Sequence, residues 1–136
     1  MRIGFYPGCS LNGTSREYNE SVKAIGKALG IDWVELKDWN CCGATAAHSM
    51  NKELSLALPT RILALAEKQG FQEIVVPCAS CYNRLSVAQY ELENNEKLKD
   101  DVLTVVGLPY LGTVKVLNVL QSVSYTHLRA HETRRH

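Results

Sequence analysis

The sequence predicts an α/β fold on a mostly parallel sheet with flanking helices, and with its cysteines at the carboxyl ends of the strands. Three observations predict it: short apolar runs that stop at Pro or Gly, helical periodicity between those runs, and five cysteines in three groups, each just past a run. Strands alternating with helices imply βαβ units, whose ligand sites lie on the rim beyond the strand carboxyl ends.

Arg2 to Tyr6 reads as a buried strand that ends at Pro7-Gly8, with Cys9 next. Thr14 and Glu17 form a capping-box pair, and Tyr18, Val22, Ile25 and Leu29 recur at helical spacing up to the stop at Gly30. Ile31 to Leu36 alternates like a second strand, and Lys37 to Asn40 leads into Cys41-Cys42-Gly43. Ala44 to Ser55 reads as a helix, and Pro59 as a residue in the first turn of another whose apolar face is Ile62, Leu63, Leu65 and Ala66. Glu73 to Val76 is a third strand, followed by Pro77 and then Cys78 and Cys81, which open a helix through Leu85, Ala88 and Leu92. That helix runs into the polar stretch Glu93 to Asp101, where Lys97 to Asp101 reads as a solvated face, and Val114 to Leu117 is a fourth strand.

A chain of 136 residues that is 46% hydrophobic suits one globular domain. Fifteen Lys and Arg against 14 Asp and Glu leave a net charge of +1, so neither a nucleic-acid partner nor an acidic membrane surface is expected. The N-terminal apolar run is too short for a signal peptide and no run of about 18 apolar residues offers a bilayer span, so the expectation is a cytoplasmic protein without membrane insertion. Residues 123–136 differ from the rest: they hold three of the four histidines and three arginines against one glutamate, whereas residues 1–122 are net −1. They resemble translated sequencing-adapter read-through, so the domain is expected over 1–122 and a non-native tail over 123–136, the rival being a metal-binding tail of His127, His131 and His136.

The cysteines carry the chemistry. Thiolates are soft ligands for zinc, copper(I) or iron-sulfur centres, and five converging on one site exceed the four that a tetrahedral zinc takes. Adjacent cysteines diverge on an extended strand, so bringing Cys41 and Cys42 to one centre needs a turn, which Gly43 permits. The odd count in a chain without an export signal points to metal or redox chemistry rather than to a disulfide framework. Other readings stay open: a structural Zn2+ on four of the five, a thioredoxin-like pair at Cys78 and Cys81 with its thiols at a helix N-terminus, or cysteines that only pack. His48 reads as an ordinary helix residue, and Trp33 and Trp39 as packing residues.

Three segments, Tyr6-Pro-Gly-Cys9-Ser-Leu-Asn-Gly-Thr14, Asp38-Trp-Asn-Cys-Cys-Gly43 and Pro77-Cys-Ala-Ser-Cys81, resemble the first cysteine-rich CCG domain in the B subunit of heterodisulfide reductase. The resemblance covers nearly all of residues 1–120. It implies a non-cubane [4Fe-4S] cluster held by Cys9, Cys41, Cys42, Cys78 and Cys81. It also implies an oxidoreductase component that takes electrons from iron-sulfur and flavin subunits to reduce a disulfide of the coenzyme M–coenzyme B type. The family's protein has two CCG domains and this chain carries the motifs of one, so activity of the single domain is not implied. Related domains in lactate, glycolate, glycerol-3-phosphate and succinate-oxidising systems give the alternative role of passing electrons to another acceptor. Backbone N–H groups at Gly8, Gly43 and the turn before Cys81 are expected to tune the cluster.

Overall fold

The computed structural model describes residues 2–8, 16–43 and 52–124. Cys9, Thr14, His48, and His127, His131 and His136 of the proposed tail lie outside the described residues. The elements run in order β1 (Arg2–Phe5), α1 (Arg16–Leu29), β2 (Asp32–Glu35), α2 (Lys52–Lys68), β3 (Glu73–Val75), α3 (Ala79–Asn94), α4 (Glu96–Val106) and β4 (Lys115–Leu117). All pairings are parallel and the strand order is β2-β1-β3-β4, which is the predicted α/β class.

Side chains alternate across the strands, so the sheet faces a core on either side. Ile3, Phe5 and Val75 face one side, where they pack with Val22 and Ile31 and with the half-buried Trp33. On the other side Ile74 joins a larger core of residues from α2, α3 and α4, among them Ile62, Leu63, Leu85, Leu92 and Val102. Thus α1 covers one face and α2 the other. The chain steps from β1 to β2 in one direction and from β2 past β1 to β3 in the other, and same-handed crossovers then require opposite faces.

Three sequence expectations are corrected here. Pro59 does not start a helix: it lies inside the single helix α2. A mid-helix proline removes one backbone hydrogen bond, and burial of Leu56 and Ala57 before it and of Ile62, Leu63, Ala64 and Ala66 after it offsets that cost. The polar stretch after α3 is a helix in its own right, α4, started by Asn95, whose Oδ1 accepts from Leu98 N at 3.1 Å, and ended by Gly107 in the left-handed conformation. Its Leu98 and Val102, one turn apart, are buried while Asp100 and Asp101 are exposed. In α1, Val22 is buried as the periodicity predicts, but Ile25 and Leu29 stand 41% and 42% exposed, so the apolar stripe is wider than the face the sheet covers.

Gly26 explains how Trp33 seats on α1. A Cβ at Gly26 would lie 1.8 Å from Trp33 Nε1, which donates to Val22 O at 3.0 Å. Alanine is the better helix former by about 1 kcal/mol, yet the displaced indole costs about 1–3 kcal/mol. Gly26→Ala is therefore expected to lower the urea unfolding free energy, and a gain in stability would contradict this packing.

Candidate metal centre

The three strands that precede the cysteine groups are neighbours, with β1 between β2 and β3. Their pairing continues past the strand ends, Leu36 N donating to Phe5 O at 3.0 Å and Tyr6 N to Val75 O at 3.1 Å. Adjacent parallel strands lie about 4.8 Å apart, so the three loops leave from neighbouring points on one rim. The order in which strands are added reverses between β1 and β3, the topological switch point where open α/β sheets bind ligands.

From this rim the structure brings together Cys42, Cys81 and Cys78. Cys42 Sγ and Cys81 Sγ share a hydrogen bond at 3.1 Å, and both residues are buried. Cys78 is half-buried and acts on the same thiol. It occupies the N-cap of α3, its side chain making no capping hydrogen bond, and Cys81 follows in the first turn. Gly8, with φ of 73°, closes the other side: a Cβ there would sit 3.2 Å from Cys81 Sγ. Cys9 is the next residue in the sequence.

Cys41 is placed differently. It is exposed, and its Sγ accepts from Gly43 N at 3.4 Å rather than meeting another thiol among the described residues. Gly43 adopts the positive φ expected of it, 81°, but Cys41 and Cys42 do not meet at one centre: Cys41 is exposed and Cys42 buried. Among the described residues no three His, Cys, Asp or Glu side chains are grouped so as to hold a single metal ion. The predicted convergence is thus described for Cys42, Cys78 and Cys81 but not for Cys41, and Cys9 lies outside the described residues.

The electrostatics match the crowding. Cys81 is pushed far above the ordinary thiol range, chiefly by its hydrogen bond with Cys42, then by burial and by repulsion from a Cys42 thiolate, with Cys78 adding to both effects. Such sulfurs cannot ionise together unless a cation compensates them. A soft donor set, crowded thiols and the N-terminus of α3, whose dipole favours negative charge, together fit a thiolate-ligated metal centre.

The loop carrying Cys41 and Cys42 is anchored by motif residues, by Trp39 in the packing role expected of it, and by Arg61, which the sequence did not single out. Tyr6, fully buried at the end of β1, donates its hydroxyl to Asn40 O at 2.8 Å and meets Trp39 edge-on, the ring centroids 5.5 Å apart. Asn40 Nδ2 donates to Leu58 O and to Cys41 O, at 3.0 and 2.9 Å. Arg61, on α2, donates to Asp38 O, Asp38 Oδ2 and Asn40 Oδ1, each at 2.9 Å. Tyr6 and Asn40 lie inside the cysteine motifs; a lone Arg on an amphipathic helix carries no signal.

The CCG family, described as a cysteine-rich domain, matches residues 3–86. The 8-methylmenaquinol:fumarate reductase membrane anchor subunit of Wolinella succinogenes is 33% identical over 119 residues, 87% of this chain and 42% of that protein. The B subunit of the ferredoxin/F(420)H(2)-dependent CoB-CoM heterodisulfide reductase of Methanosarcina acetivorans is 28% identical over 124 residues, 88% of this chain and 41% of that protein. The chain thus spans about two fifths of the length of these curated relatives. A hypothetical protein from Helicobacter pylori shares the fold, with a TM-score of 0.73 at 16% identity over 87% of this chain and 24% of that one.

Proposed function

Since the chain belongs to the CCG cysteine-rich domain family, we propose that it holds an iron-sulfur cluster and passes electrons through it, as part of a multi-subunit oxidoreductase. The observation that carries this reading is the buried Cys42–Cys81 contact on the rim, with Cys78 beside it and Gly8 against it. Cys42, Cys78 and Cys81 are the inner ligands; Cys9, bonded to Gly8, and Cys41, one residue from Cys42, complete a set of five for a non-cubane [4Fe-4S] cluster. When bound, that cluster supplies one-electron chemistry at a potential set by its hydrogen bonds and burial. The residues of the chain do the rest. Cys78 and Cys81 stand at the N-terminus of α3, whose dipole favours thiolates there, and the small Gly8 leaves room beside Cys81.

The substrate reading is reduction of a disulfide, of the kind named for the Methanosarcina relative, with electrons arriving from partner iron-sulfur and flavin proteins. A second reading is electron transfer to or from a dicarboxylate-oxidising or reducing system, favoured by the 33% identity to the fumarate reductase component. Although that relative is named a membrane anchor, no helix among the described residues here is long and apolar enough to cross a membrane.

Anaerobic loading with iron and sulfide tests the reading. The expected product is brown, bleaches when dithionite reduces it, and regains its colour on oxidation. If a soluble disulfide restores the colour of the reduced form, the disulfide reading gains; if only a quinone or dicarboxylate acceptor does, the second one does. A colourless chain with one zinc bound contradicts the cluster and supports a structural zinc module.

A further inference from the structure

We propose that Arg61 is a positioning residue for the metal centre, latching the Cys41-Cys42 loop to α2 and so fixing where Cys42 stands relative to Cys81. The proposal rests on the cluster reading above for its consequence, but the latch itself is a feature of the chain. Arg61 makes three hydrogen bonds, to Asp38 O, Asp38 Oδ2 and Asn40 Oδ1, all at 2.9 Å. The carboxylate and amide that it grips flank Trp39, immediately before the cysteine pair. Asn40 passes the constraint on, through Nδ2 to Cys41 O and Leu58 O, while its own carbonyl accepts from the buried Tyr6 hydroxyl.

A second observation marks this loop as held rather than relaxed. Asp38 is the one non-glycine with positive φ among the described residues, at 59°. Left-handed backbone is disfavoured for a residue with a Cβ, although Asp tolerates it better than most. Contacts on both sides hold it: Arg61 takes the Asp38 carbonyl and carboxylate, and Gln69 pairs with the N–H and carbonyl of Lys37 at 3.0 and 2.9 Å.

Magnitudes separate positioning from mere stabilisation. Asp38 is 81% exposed and Arg61 32% exposed, and such a surface ion pair contributes little to global stability. What the pair does supply is direction. A planar guanidinium donates in a fixed fork to several acceptors at once, which a lysine ammonium does not reproduce.

The test compares wild type with Arg61→Met and Arg61→Lys, by amide hydrogen exchange on the metal-free chain and by the rate of iron loss to a chelator from the loaded chain. Expected for Arg61→Met is exchange about tenfold faster across residues 38–43, with β1 and β3 unchanged, since local opening is independent of global unfolding. Iron loss is expected to accelerate about tenfold and the reduction potential to move, because the second coordination sphere of a metal site typically carries about 10–100-fold in affinity. Arg61→Lys is expected to restore neither fully. Unchanged exchange in the loop overturns the latch, whether or not iron binds. Faster exchange throughout the molecule, with a matching fall in the unfolding midpoint, also overturns it, as Arg61 would then be a general structural residue. A wild type that takes up no iron sinks the cluster reading alone, since the exchange experiment still decides the latch.

Discussion

Cys81→Ser is expected to abolish iron and sulfide loading while leaving a folded domain. Cys81 supplies the most crowded thiol of the site, 3.1 Å from Cys42 and in the first turn of α3. An oxygen there is a hard donor that a soft iron-sulfur centre does not favour. The metal-free fold loses less: a buried hydroxyl in place of sulfur must find a partner, at about 1–2 kcal/mol. Iron quantification and urea unfolding on the same preparation separate the two effects. Cys41→Ser is the informative companion, because an exposed substitution changes stability by less than about 0.5 kcal/mol and yet is expected to weaken cluster retention. Full iron content in Cys81→Ser would show that the buried pair is packing and not ligation.

Gly8→Val is expected to do damage of both kinds. The residue is buried at φ of 73°, a conformation that a β-branched side chain avoids. Its new Cβ would also press on Cys81 Sγ from 3.2 Å. Backbone strain of about 1–2 kcal/mol and overpacking of about 1–3 kcal/mol together suggest a loss of about 2–5 kcal/mol, read from the unfolding midpoint. Gly8→Ala, with the same φ conflict but less bulk, should fold better and still load iron poorly. Normal loading of Gly8→Ala would mean that Gly8 does not border the centre.

The fold was readable because its signals are local. Pro7-Gly8, Gly30 and Pro77 punctuate the chain, and the apolar runs between them are the strands. The strand order is not written locally, yet it places the three cysteine-bearing strands side by side, so the expectation that these groups share one rim followed from topology. What local signals missed was decided by packing. Pro59 reads as a boundary, but burial on both sides of it keeps α2 continuous. The second helix after Cys81 did carry a signal, Asn95 before it and Gly107 after it with Leu98 and Val102 between, which its many charges obscured. At the site, the spacing anticipated that Cys42, Cys78 and Cys81 share a rim with Gly8, but not that Cys41 stands exposed and apart from them. Arg61 was not legible, because its role depends on three acceptors more than 20 positions earlier in the chain.

The central claim is that thiols far apart in the sequence serve one inorganic core, and the reactivity of each cysteine tests it most directly. Alkylation mapped by mass spectrometry should find all five protected in the iron-loaded chain, and Cys41 reactive before Cys42, Cys78 and Cys81 once a chelator removes the iron, as the exposed one of the four described cysteines. Protection that appears and disappears for Cys9, Cys41, Cys42, Cys78 and Cys81 as a unit is the predicted result. Cys9 or Cys41 reacting at the same rate with and without iron would contradict it.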